Sequence, residues 1–174
     1  MSRHAIVVMG AAGAGKSRIG SALASALGVA FVEGDAFHPP ENVAMMAAGI
    51  PLTDDTRRGW LLALARQLHD ARAQDEGIVL ACSALKRRYR DLLRTGDDSL
   101  RFLFLHGDAA MLRDRLQHRT GHYMPASLID SQLDALEPPS DDEHAWSVDA
   151  TELPERIVSR IVGELRSSTP SAHA

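Results

Sequence analysis

The sequence predicts an α/β fold: a parallel sheet with helices on both faces, in three layers (α/β/α). Three observations predict it. Short β-like apolar runs alternate with longer stretches of helical period, an order that gives parallel strands joined by crossover helices. The first apolar run leads directly into a glycine-rich turn and then a helix. The 174 residues contain neither an internal repeat nor an interdomain linker, so residues 1–166 read as one domain, long enough to bury a full core.

The elements follow in order. Residues 5–9 (AIVVM) form a buried strand. Residues 16–27 are helical, with Ile19, Leu23 and Leu27 on one face and Gly28 as the stop. Residues 29–32 form the second strand. Asp54 or Asp55 caps a long helix whose buried stripe is Leu61, Leu64 and Leu68. Residues 78–81 (IVLA) are the third strand, with Ser83 as the N-cap of the next helix. Residues 101–105 (RFLFL) are the fourth, and Asp108 opens a helix carrying Leu112 and Leu116. Pro125 suits the first turn of another helix, which Pro138 and Pro139 terminate. Residues 146–148 are a fifth strand. The last helix, near 154–165, carries Ile157, Val158, Ile161, Val162 and Leu165. Residues 167–174 (SSTPSAHA) read as a disordered tail.

Composition narrows the function classes. A formal net charge of −4 disfavours a general nucleic-acid partner, so an anionic ligand must be met by a local cluster of positive charge. The single cysteine, Cys82, cannot form an internal disulfide; it reads as a small buried residue ending a strand. The N-terminus lacks signal-peptide architecture, and no run of about 18 apolar residues exists to span a bilayer. A cytoplasmic protein with no membrane partner is expected.

Gly10, Ala11, Ala12, Gly13, Ala14, Gly15, Lys16 and Ser17 match the phosphate-binding pattern G-x-x-x-x-G-K-[ST] at every fixed position, between a strand and a helix. Glycines let the backbone curl until several N–H groups point inward, and the positive end of the following helix favours the same anion. Lys16 reaches the β/γ-phosphates of ATP, and the Ser17 hydroxyl is the expected Mg²⁺ ligand. Asn42 is the only asparagine, so the guanine-recognition motif of GTPases is excluded. The third strand ends without an acidic residue, which leaves metal ligation to Ser17 and waters, with Asp35 nearby.

Sheets of this kind bind ligands beyond the C-terminal ends of their strands. Asp35 stands there, after the second strand. Its carboxylate can take a proton from an acceptor hydroxyl, hold a hydrated metal, or close a turn on its own backbone. Lys86, Arg90 and Arg94 recur every four residues, on one helical face with Lys86 and Arg90 nearest the rim, while Arg87 and Arg88 read as solvated surface. His118 and His122 have i, i+4 spacing, but Gly121 interrupts the helix and no H-E-x-x-H pattern is present, so no zinc site is expected.

Four segments carry a resemblance: GAAGAGKS, EGDAFHPPENVAMMAAGIPLTDDTRRGWL, ACSALKRRYRDLLR and RTGHYMPASLIDSQLDALEPP. Along nearly all of residues 6–138 the chain resembles the gluconokinase family of small P-loop kinases. The middle two segments separate that family from shikimate and adenylate kinases, which share the P-loop NTPase-type fold. The resemblance implies ATP-dependent phosphorylation of D-gluconate, a five-stranded sheet, a small helical lid over about residues 115–136, and a homodimer. Carried over by position, Asp35 orients or deprotonates the acceptor hydroxyl, and His38, Arg57, Lys86 and Arg90 form the acceptor-binding set. Gluconate's carboxylate makes cationic donors necessary there. Arg119 is the lid arginine expected near the phosphates, catalytic together with Lys16 and Asp35, and Arg115 is expected against the adenine. The family often carries lysine, aspartate and proline where Met45, Thr56 and Gly59 stand; the first departure removes a cation from the acceptor side.

Overall fold

The computed structural model describes residues 3–119, 125 and 127–168. Its centre is β1 (Ala5–Met9), flanked by β3 (Ile78–Ala81) and β4 (Arg101–His106), with β2 (Ala30–Glu33) and β5 (Ala145–Asp149) at the edges. All four pairings are parallel, in the order β2-β3-β1-β4-β5. The run AIVVM is apolar throughout because both its faces are covered. Ile6 and Val8 pack with residues of α1 (Lys16–Leu27) and α7 (Pro154–Ser167). Val7 and Met9 pack with residues of α3 (Asp54–Ala73) and α4 (Arg87–Arg94). The predicted three-layer, five-stranded fold is what forms. Among the described residues no helix is long and apolar enough to cross a membrane.

Several boundaries differ from expectation, each for a local reason. The long helix is capped by Thr53 rather than by Asp54 or Asp55: the Thr53 hydroxyl accepts the Thr56 N–H at 3.2 Å, and the Thr56 hydroxyl accepts the Thr53 N–H at 2.8 Å. Thr56, one of the departures from the family pattern, is thus half of a capping box. Ser83 caps nothing. Ala84 takes a positive φ of 45°, which holds the chain out of helix until α4 starts at Arg87. A short helix, α2 (Pro40–Ala47), opens on Pro40 and was not anticipated. Asp108 does cap α5 (Ala109–Gln117), accepting the Met111 N–H at 2.8 Å. Pro125 precedes the next helix, α6 (Leu128–Ala135), instead of lying in its first turn, and its carbonyl accepts the Leu128 N–H at 3.1 Å. Ser167, placed in the expected tail, belongs to α7; residues 169–174 lie outside the described residues, as do Gly121 and His122.

Arg90 requires a correction. It was expected at the ligand rim, yet its side chain is fully buried. Arg90 and Arg94 share a helical face, but that face points at Glu143, just before β5. Arg90 Nε and Nη2 donate to the two Glu143 oxygens at 2.6 and 2.9 Å, and Nη1 donates to the Ala84 and Leu85 carbonyls at 2.9 and 3.3 Å. The residue therefore satisfies the turn after β3 and ties it to the β5 side. Burial by itself would push the Glu143 carboxyl up; the Arg90 guanidinium and the Ser140 N–H outweigh it and hold it down at about 2.

Arg90→Met leaves a buried carboxylate without its fork and is expected to lower unfolding free energy by about 3–5 kcal/mol in denaturant titration. Because the folded carboxyl sits at about 2 against an ordinary 4.5, its contribution is complete above pH 4.5 and is lost as pH falls toward 2. The variant should lack that acid-dependent loss.

Candidate active site

The loop between β1 and α1 curls as its pattern demands: Gly10, Gly13 and Gly15 all have positive φ, 145°, 84° and 95°. Ser83 O accepts the Gly10 N–H at 3.3 Å, tying the loop to the end of β3. Lys16 folds over it and donates to the Ala11 carbonyl at 3.0 Å. Burial pushes the Lys16 ammonium below its ordinary value, with Asp35 pulling the other way. An anion bound on the loop restores the charge that burial disfavours.

A cavity of about 820 Å³ runs along the C-terminal rim of the sheet with this loop as its floor. Residues 12–18 of the loop and α1 line its middle. The run after β5, from Ala150 to Pro154, lines one end. At the other end stand Asp35, His38, Arg57 and Trp60. Gly34 brings that second end in close: a Cβ there would sit 2.2 Å from the Ala81 carbonyl oxygen, so β2 and β3 close tightly and deliver Asp35 to the rim. Trp60 locks the turn by donating Nε1–H to the Gly34 carbonyl at 2.8 Å.

His38 stacks on Trp60, with ring centroids 4.0 Å apart, and its Nε2 lies 3.9 Å from Asp35 Oδ1. Burial pushes its pKa down to about 4 despite Asp35, and Arg57 adds to the fall. The imidazole is neutral at neutral pH. The Asn42 amide lies 3.4 Å from its Nδ1 and also donates to the Thr56 carbonyl at 2.8 Å. With Nδ1 accepting from Asn42, Nε2 carries the proton and faces Asp35 as a donor.

The other expected site residues separate into two groups. Arg115 and Arg119 line the cavity. Arg115 is pinned by the Ala150 carbonyl at 2.8 Å and reaches the Gly13 and Ala14 carbonyls at 3.3 and 3.4 Å. Lys86 and Arg90 do not line it. Lys86 sits one residue before α4, and its ammonium is held by Asp54 at 3.1 Å. Arg87, expected to be solvated, forms a two-pronged pair with Asp142 at 2.9 and 2.8 Å.

Among the cavity residues that went unread in the sequence, two bond directly to the phosphate loop or the helix it opens. Glu33, the last residue of β2, accepts a hydrogen bond from the Ser17 hydroxyl. Gln132, on α6, accepts the Ala12 N–H at 2.7 Å and so holds the phosphate loop from above. The position of Glu33 at a strand end, next to the glycine of EGD, was the available signal for the first; nothing local marks the second. Among the described residues no group of three or more His, Cys, Asp or Glu side chains is placed to hold a metal. What the site offers is a set of oxygen donors, the Ser17 hydroxyl with the Glu33 and Asp35 carboxylates. Such a set suits Mg²⁺ that keeps several waters and binds mainly through substrate phosphates.

A family profile described as "Shikimate kinase" matches residues 12–166. The gluconokinase of Gluconobacter oxydans (strain 621H) is 45% identical over 157 residues, covering 90% of this chain and 88% of that one. The chain belongs to the gluconokinase family. Among solved structures, a gluconokinase from Sinorhizobium meliloti 1021 is 44% identical with a TM-score of 0.82, covering 97% of this chain and 98% of the other. An unliganded sugar kinase from Janibacter sp. HTCC2649 is 42% identical with a TM-score of 0.90, and each chain is covered to 99%. The gluconokinase family lies within the shikimate kinase-like P-loop kinases, which use ATP. The expected family, fold and kinase class are thereby borne out.

An NMR titration of His38 should give a midpoint near 4. Since the folded value lies below the ordinary 6.5, the unfolded chain binds the proton first; the His38 contribution to stability is complete above about pH 6.5 and declines as pH falls toward 4. A midpoint near 6.5 would contradict the burial and stacking described.

Proposed function

We propose that this chain transfers the γ-phosphoryl group of ATP to the C6 hydroxyl of D-gluconate, giving 6-phospho-D-gluconate and ADP. One observation carries the reading: a single cavity has the phosphate loop as its floor and Asp35, His38 and Arg57 together at one end. A triphosphate on the loop points its terminal phosphorus toward that end if the nucleoside lies at the other, between Arg115 and residues 150–154. Arg57 supplies the fork that a sugar acid's carboxylate needs. The neutral His38 donates from Nε2 to a hydroxyl.

The transfer requires little covalent chemistry from the protein. Asp35 takes the proton as the C6 oxygen attacks in line; the new O–P bond forms as the bond to the β-phosphate oxygen breaks, and ADP leaves with that electron pair. Lys16 and Arg119 stabilise the charge spread over the transferred group. Mg²⁺, held through Ser17 with Glu33 and Asp35 close by, supplies neutralisation of the phosphate oxygens when bound. The lid expected over about residues 115–136 excludes water when it covers the nucleotide; Arg115 and Gln132, both within that range, bond to the phosphate loop. A homodimer, from the family resemblance, and a cytoplasmic setting accompany this reading; light scattering in solution tests the first.

ADP release should rise with gluconate and stay at background with glucose, shikimate or no acceptor. A response only to another small sugar acid would move the acceptor assignment, and ATP binding with no acceptor response would make the chain an ATP-binding regulator instead. Lys16→Ala should lower kcat at least ~10²-fold, the scale of one lost electrostatic contact in the transition state. Asp35→Asn should abolish most transfer while ATP affinity, measured by calorimetry, stays close to wild type.

A further inference from the structure

Arg57 lies one turn into α3, its N–H bonded to the Thr53 carbonyl at 3.1 Å, and its side chain lines the acceptor end of the cavity. Behind it, away from the cavity, is an ordered chain of polar contacts. Arg57 Nη1 donates to the Tyr89 hydroxyl at 3.0 Å. The Tyr89 hydroxyl donates in turn to Asp54 Oδ1. Lys86 Nζ meets the same Asp54 oxygen at 3.1 Å, and Arg88 meets the other at 2.5 Å.

The direction of this chain is dictated by proton count. A tyrosine hydroxyl has one proton, and an arginine can only donate. Asp54 is an anion flanked by two cations, and the Tyr89 hydroxyl together with Lys86 holds its carboxyl below the usual range. The Tyr89 proton therefore goes to Asp54, and its oxygen lone pairs face Arg57. Tyr89 is itself buried, so its ring cannot swing away. The Arg57 guanidinium also lies 5.4 Å from the Tyr89 ring centroid, within cation–π range. One donor of the fork is thereby engaged, and the rest remain for a planar anion.

We propose that Tyr89, held by Asp54, is a positioning residue that fixes the Arg57 guanidinium for the acceptor's carboxylate. Lys86 acts on the acceptor only through Asp54. The inference rests on the reading that a sugar acid binds at this end. An arginine side chain has several rotatable bonds, and ordering it before the acceptor arrives removes part of the entropy loss from the binding step. Loss of the tether weakens acceptor binding and leaves the nucleotide end untouched.

Steady-state kinetics with gluconate and ATP varied separately test this. Tyr89→Phe keeps the ring and removes the oxygen. Its gluconate KM should rise about tenfold, the scale of a hydrogen bond to a charged group, with ATP KM within about twofold of wild type. Asp54→Asn keeps a carbonyl acceptor for the tyrosine proton and should raise gluconate KM about threefold, a partial rescue relative to loss of the hydroxyl. In an Arg57→Ala background, Tyr89→Phe should have no further effect on gluconate KM, since nothing is left to position. Unchanged gluconate KM in Tyr89→Phe, an equal rise in ATP KM, or a full effect persisting without Arg57 would overturn the proposal. If Tyr89→Phe fails to fold, Asp54→Asn carries the same test, and an unaltered gluconate KM there overturns it. Wild-type turnover on gluconate tests the acceptor assignment separately. Should another acid prove to be the acceptor, the same variant-to-wild-type ratios are read on that acid.

Discussion

The backbone N–H groups between β1 and α1 must converge on one point, and convergence is possible only where the chain can take left-handed conformations. Gly10, Gly13 and Gly15 provide three of them within six residues. Gly10 is also pressed against β4: a Cβ there would lie 2.6 Å from the Leu105 carbonyl oxygen. The loop is thus wedged between strands as well as curled. Everything else in the site is arranged around that wedge: Lys16 folded over it, Gln132 and Arg115 bonded to its backbone, and Ser83 anchoring its first residue.

Sheet order converts the wedge into a two-ended site. With β1 central, the loop lies mid-rim, β2 sets one end and β5 the other. The β2 end is narrow because Gly34 sits against Ala81, and it is chemically dense because Trp60, His38 and Asp35 follow within a few ångströms of one another. Parallel strands require this crowding on one rim, since every strand delivers its following loop to the same side.

The positive charges of the acceptor side divide by the partners that hold them. Arg57 reaches the cavity. Lys86 and Arg88 are held by Asp54, and Arg90 is committed to Glu143 and two carbonyls. A buried pair such as Arg90–Glu143 adds little net stability over an apolar pair of the same shape, but breaking it is expensive. What it does here is join the turn after β3 to the segment that leads into β5, two strands that do not pair with each other.

The strands, the order of elements and the phosphate loop were legible in the chain itself, because apolar period and glycine spacing are local signals. AIVVM, IVLA and RFLFL could be read as buried strands from their composition, and GAAGAGKS carried its own chemistry. Asp35 and Arg57 were legible through the family resemblance, and both line the cavity. What tertiary structure decided was partnership. A four-residue spacing says that Arg90 and Arg94 share a face, but not that the face meets Glu143, 53 and 49 residues later. It places Lys86 near the rim, but not in the grip of Asp54 from another helix. Gln132 was silent for the same reason, its partner being the Ala12 N–H 120 residues away. Period along a chain reports which side of an element is apolar, whereas a charged or amide side chain takes its role from whichever distant group desolvation forces it to satisfy.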